Sequence, residues 1–191
     1  MVENNIVYHF NTKEKSEKKK FEYRLQKMLR KKLNCYQQVI ILCIGSDCII
    51  GDCLGPLIGY KLAFSCYGDI IVYGTLESPV HAMNFYKVMD TIDRKYCNPF
   101  IIAIDSSMGE HSDIGNVTLR EAGILPGIAF GKTLSQVGNI GITGIVVQSD
   151  ITFEEFTRAT RMRLVMQIAD FITTGLLNSL DSVNLISNLE R

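Results

Sequence analysis

The chain has no tryptophan, only three histidines and four prolines, and no net charge, because 20 Lys and Arg balance 20 Asp and Glu. Balanced charge removes the global basic field on which nucleic-acid binding rests. No sequence-specific nucleic-acid partner is therefore expected, although the stretch from Lys13 to Lys32 is locally basic. No apolar run reaches the roughly 18 residues that a membrane-spanning helix requires. Residues 1–20 also lack the apolar core and small-residue cleavage site of a secretory signal. The six cysteines, Cys35, Cys43, Cys48, Cys53, Cys66 and Cys97, match no zinc-site spacing. They read as reduced thiols in a cytosolic compartment.

What is present is apolar and strongly patterned. A chain of 191 residues that is 47% hydrophobic can build one continuous core. Residues 1–20, rich in Asn, Lys and Glu, read as a mobile N-terminal segment, and residues 21–191 as a single α/β domain. Phe21, Leu25, Met28 and Leu29 fall on one stripe, which predicts a helix from Phe21 to Leu33 with a basic outer face. Val39–Ile44 (V-I-I-L-C-I) and Phe100–Ile104 (F-I-I-A-I) are continuous apolar runs, the mark of parallel strands buried on both faces. Shorter strands are predicted at Ile70–Tyr73, Val117–Leu119 and Ile140–Val147. Helices are predicted from Pro56, over His81–Tyr96, and as one long element from Thr152 to Leu180. Such alternation argues for a mostly parallel central sheet with helices on both faces.

Open α/β sheets bind ligands beyond the carboxyl ends of their strands. Three segments leave such ends here. The first, Gly45 to Pro56, is punctuated by glycine but lacks both the Gly-Lys-Ser/Thr ending of a phosphate loop and the G-x-G-x-x-G dinucleotide pattern. It carries Asp47 and Asp52, and Asp52 could simply cap the following helix. The second, Gly74 to His81, offers Glu77 and His81 as accessory groups. The third begins at Asp105, directly after I-I-A-I. An acid at the end of a buried strand needs a cleft, backbone donors or a ligand. If its strand neighbours the one before Gly45, Asp52 and Asp105 can converge to share a proton, activate water or hold a divalent metal. No Gly-x-Ser-x-Gly elbow surrounds Ser106 or Ser107, which argues against a serine nucleophile. His9 and His111 lie in polar segments and read as exposed.

Four ordered segments, I-G-S-D…G-D-C-L-G-P, G-T-L-E-S-P-V-H-A, I-I-A-I-D-S-S-M-G and P-G…V-G-N-I-G-I-T-G-I-V, resemble the YyaC family of spore-forming Firmicutes. That family is similar to the spore germination protease, which degrades small acid-soluble spore proteins, and to the hydrogenase-maturation endopeptidases. The resemblance implies a three-layer phosphorylase/hydrolase-like fold. It places Asp52 and Asp105 at the positions of the two important acids. In the maturation enzymes the matching acids bind nickel together with a histidine, for which His81 is a candidate only by loop position. No cofactor is expected, with a divalent metal at Asp52 and Asp105 as the alternative. Activation by propeptide removal is not expected.

The reading that follows is a spore-associated endopeptidase in the forespore or mother-cell cytoplasm, hydrolysing peptide bonds of a spore protein with Asp52 and Asp105. Asp47, Glu77 and His81 are accessory candidates. The rivals are a non-catalytic protein-binding member of the fold and a metal-dependent maturation-type peptidase. A homo-oligomer is compatible with every version.

Overall fold

A computed structural model describes residues 6–33, 38–65, 70–126 and 135–185. Its centre is a six-stranded sheet in the order β1-β5-β6-β4-β2-β3, formed by β1 (Val7–Asn11), β2 (Val39–Cys43), β3 (Ile70–Tyr73), β4 (Phe100–Gly109), β5 (Asn116–Arg120) and β6 (Ile140–Gln148). The pairs β3–β2, β2–β4 and β4–β6 are parallel, whereas β5 runs antiparallel to both β6 and β1. The predicted mostly parallel α/β architecture is thus observed. The two apolar runs, β2 and β4, are central neighbours, with Cys43 level with Ile104.

The period-2 alternation of these strands separates two cores. One holds Ile41, Cys43, Ile102, Ile104, Val117, Leu119, Ile140 and Ile142 against the apolar stripes of α1 (Lys15–Lys32), α2 (Leu54–Ala63) and α5 (Met162–Asp181). The other is smaller: Ile40, Leu42, Ile101 and Ala103 under Phe85 and Ile92 of α3 (Phe85–Lys95). On that second face β5 and β6 present Thr118, Arg120, Gly141 and Thr143, which join neither apolar cluster. Among the described residues, helices cover one face throughout and the other only over β2, β3 and β4.

Three elements depart from the sequence expectation. Residues 1–20 were expected to be mobile, yet they contain β1 and the first turns of α1. The short V-Y-H-F-N strand is held from both sides. It pairs with the edge of β5, and Phe10 turns inward to meet Phe21 edge-on at 5.4 Å. The predicted helix from Thr152 to Leu180 is two helices, α4 (Phe153–Ala159) and α5, separated by extended backbone at Thr160 and Arg161. The break seats Phe156 on Gly51, where an added Cβ would fall 2.5 Å from the ring. Thr152 does cap α4, in a reciprocal capping box with Glu155. Finally, α3 starts at Phe85 and not at His81, because the Asn84 side chain is bonded backwards. Its Oδ1 accepts the His81 N–H at 2.8 Å and its Nδ2 donates to the Pro79 carbonyl at 2.9 Å.

Phe21 joins β1, α1 and α5, since it also lies 5.4 Å from the Phe171 ring and is fully buried. Truncation to Ala is expected to cost about 3–5 kcal/mol, read as a lower urea midpoint at unchanged m-value. A loss under 1 kcal/mol would show that the N-terminal strand and helix are not integral to the core.

Candidate functional site

The loop after β2 turns back on itself. Gly45 sits at φ +142°, and a side chain there would meet the Asp52 carbonyl oxygen at 2.0 Å. The Ser46 N–H donates to that same carbonyl at 3.2 Å. Gly55 allows the first turn of α2 to rest on Ile44, whose carbonyl oxygen would lie 2.0 Å from an added Cβ. These contacts set Asp52 beside the end of β2. It does not cap α2: Cys53 occupies the N-cap, with no side-chain cap bond. The helix-cap reading of Asp52 is therefore overturned.

Asp105 is reached from the neighbouring strand. It was expected at a strand end, but β4 continues to Gly109, because β6 is long enough to pair with it as far as Gln148. Asp105 therefore lies within a strand, one residue past the level at which β2 stops. It is 7% exposed, and its Oδ1 accepts the Ser106 N–H at 2.7 Å. Its side chain falls on the sparsely covered face. The ladder places Asp105 opposite Thr143, Thr143 opposite Thr118, and Thr118 opposite His9. The Thr118 and Thr143 hydroxyls bond at 2.7 Å, and Ser107 donates to Thr143 at 3.3 Å. A polar row crosses four strands.

That row is the floor of a cleft of about 810 Å³, and Asp52, His81 and Asp105 all line it. Burial, the dominant influence, pushes the Asp52 carboxyl above its usual range. The Ser46 N–H and the nearby His81 oppose the shift. The Met83 N–H donates to His81 Nδ1 at 3.2 Å, so the ring proton belongs on Nε2. Asp47 and Glu77 are exposed and line no part of the cleft, so neither joins the other three. Cys53 is buried, and its thiol is pushed up first by burial and then by Asp47 and Asp52, the opposite of an activated nucleophile. Cys35 lies outside the described residues, as does Cys66.

Comparison with known proteins bears on this geometry. Residues 9–175 match the family described as "Protein of unknown function (DUF1256)". The chain belongs to this family. The match takes in the end of β1, strands β2 to β6 and most of α5. A relative described as "Uncharacterized protein YyaC", from Bacillus subtilis (strain 168), is 37% identical over 138 residues, which span 72% of this chain and 67% of the relative. Among solved structures, the NiFe hydrogenase maturation protease HycI from Thermococcus kodakarensis KOD1 aligns over 78% of this chain and 98% of its own. The TM-score is 0.45 and the identity 14%. A likeness that loose transfers no residue and no activity.

Among the described residues, no three His, Cys, Asp or Glu side chains are gathered so as to hold an ion. Likewise, among the described residues no helix is long and apolar enough to cross a membrane. The cleft also contains Thr118, Arg120 and Thr143, which carry no motif in the sequence, and His9, which is exposed as expected but lines the cleft mouth. Their signal was the alternation V-T-L-R in β5. It places Thr118 and Arg120 on one face, but it becomes informative only once that face is known to lack a covering helix.

The raised Asp52 sets a sign for pH dependence. Between the usual carboxylate range and its shifted value, the folded state binds more protons than the unfolded one, so its contribution to stability falls as pH rises through that window. Asp52→Asn is expected to be more thermostable than wild type at pH 7, with the gap closing as pH drops below the usual carboxylate range. Melting curves at pH 3.5, 5 and 7 test this; a variant less stable than wild type at pH 7 contradicts it.

Proposed function

We propose that this protein is an aspartate-dependent endopeptidase of a spore former, acting in the forespore or mother-cell cytoplasm on spore proteins as the germination protease does. The observation that carries the reading is the presence of Asp52, Asp105 and His81 on one cleft wall. Membership of a family with a relative in Bacillus subtilis supports the biological setting.

The chemistry follows from the unequal surroundings of the two acids. Asp105 sits on a rigid central strand, and its Oδ1 accepts the Ser106 N–H. It acts as the general base that takes a proton from the attacking water. Burial makes Asp52 hold its proton more readily, so it acts as the acid that protonates the departing amine. His81, next to Asp52, orients the scissile carbonyl or the acid through Nε2. Past Ile104 no strand pairs with β4 on the β2 side among the described residues, and an extended substrate would lie along that side. No step requires a metal.

Purified protein should cleave small acid-soluble spore proteins, with fragments visible by mass spectrometry. Asp52→Asn and Asp105→Asn should each lower kcat by about 10²–10⁴ while leaving the fold intact by circular dichroism. Capture of an intact, uncleaved partner, unaffected by either substitution, would sink the peptidase reading in favour of a binding protein.

A further inference from the structure

Among the described residues, Arg120 is the only Lys or Arg lining the cleft, which also carries the acids Asp52, Asp105, Glu110 and Asp113. Its Nε is fully buried and has no hydrogen-bond partner among the described residues. None of the ion pairs found among those residues involves it. Arg120 as a whole is half-buried, but a buried Nε–H left without an acceptor is costly, and an Arg fork is shaped to take a carboxylate on two parallel N–H groups.

The position of Arg120 is as informative as its lack of a partner. It faces Gly141 on β6, and Gly141 faces Ala103 on β4. An added Cβ at Gly141 would lie 2.9 Å from Arg120 Cγ, so the aliphatic stem passes over the glycine. The small residue opposite makes room for the side chain to lie along the cleft floor. In the adjacent row Thr118 faces Thr143 and Thr143 faces Asp105. Arg120 is thus two strands across and two residues along from Asp105, about 12 Å at the Cα positions from ladder spacing. A strand advances about 3.3 Å per residue, so that span is three to four residues of extended peptide.

We propose that Arg120 is a carboxylate-binding residue, anchoring an anionic group of a peptide a few residues from the bond held at Asp52 and Asp105. The proposal rests on the peptidase reading for the identity of the ligand as a peptide. The carboxylate comes either from a chain terminus or from an acidic side chain.

The test uses the full chain and the Arg Nε–Hε resonances in 15N NMR, with Arg120 assigned by its loss in Arg120→Met. Three probes are titrated: acetyl-tetraalanine with a free carboxylate, its C-terminal amide, and acetyl-Ala-Ala-Glu-Ala amide. A shift of the Arg120 signal with the free acid, and binding at least tenfold tighter than the amide, identifies a terminal carboxylate. The same response to the Glu peptide identifies an acidic side chain. In either case Arg120→Met, shown folded by circular dichroism, should weaken the responding peptide about tenfold and bring it to the level of the neutral amide. Equal shifts with all three peptides, or no shift with any, overturn the proposal. Binding is read without turnover, so an Arg120 response in a protein that cleaves nothing would retire the peptidase reading alone. Cleavage of spore proteins with a silent Arg120 would retire the anchor alone.

Discussion

The architecture turns on unequal coverage of the sheet. Apolar stripes on α1, α2 and α5 bury one face from β2 to β5, while α3 reaches only β2, β3 and β4 on the other. An apolar helix could not have covered the remainder, because Thr118, Thr143, Arg120 and Asp105 project there and each would need a polar partner once dry. Hydroxyls satisfy one another along the row, and a backbone N–H donates to one oxygen of Asp105. Among the described residues, the polar row and the absence of a helix over it are two expressions of one constraint.

The sequence made the centre of this arrangement legible for a physical reason. β2 and β4 are buried on both faces, so their residues are apolar without alternation and announce themselves as parallel strands. Asp105 stands out against that background. The edges were harder to read. β1 is five residues long, and only Phe10 along it is buried, so its pattern was lost in a polar segment. The long β4 was invisible because Ser106, Ser107 and Gly109 are polar or small, and their strand character comes from β6 and not from propensity. The break between α4 and α5 depends on Phe156 packing on Gly51 across about a hundred residues of chain, which no local window contains. Arg120 carries no motif; its meaning comes from which face it occupies and what fails to pair with it.

The two acids differ in how they are held, and this bears on how a site of this kind can work. Asp105 belongs to a central strand bonded on both sides below its level, so its position is as rigid as the sheet. Asp52 sits on a returning loop, tied by the Gly45 close approach and the Ser46 N–H, next to a histidine that is itself positioned by the Asn84 turn. Burial of Asp52 disfavours its charge and so opposes stability at neutral pH, and the loop contacts hold it in the cleft against that cost. A sequence selected for stability alone would place Asn or Ser there, since neither helix capping nor core packing uses the carboxylate. An acid whose charge burial disfavours, lining one cleft with a second acid fixed on the sheet, is the physical basis of the proposal that this cleft serves chemistry.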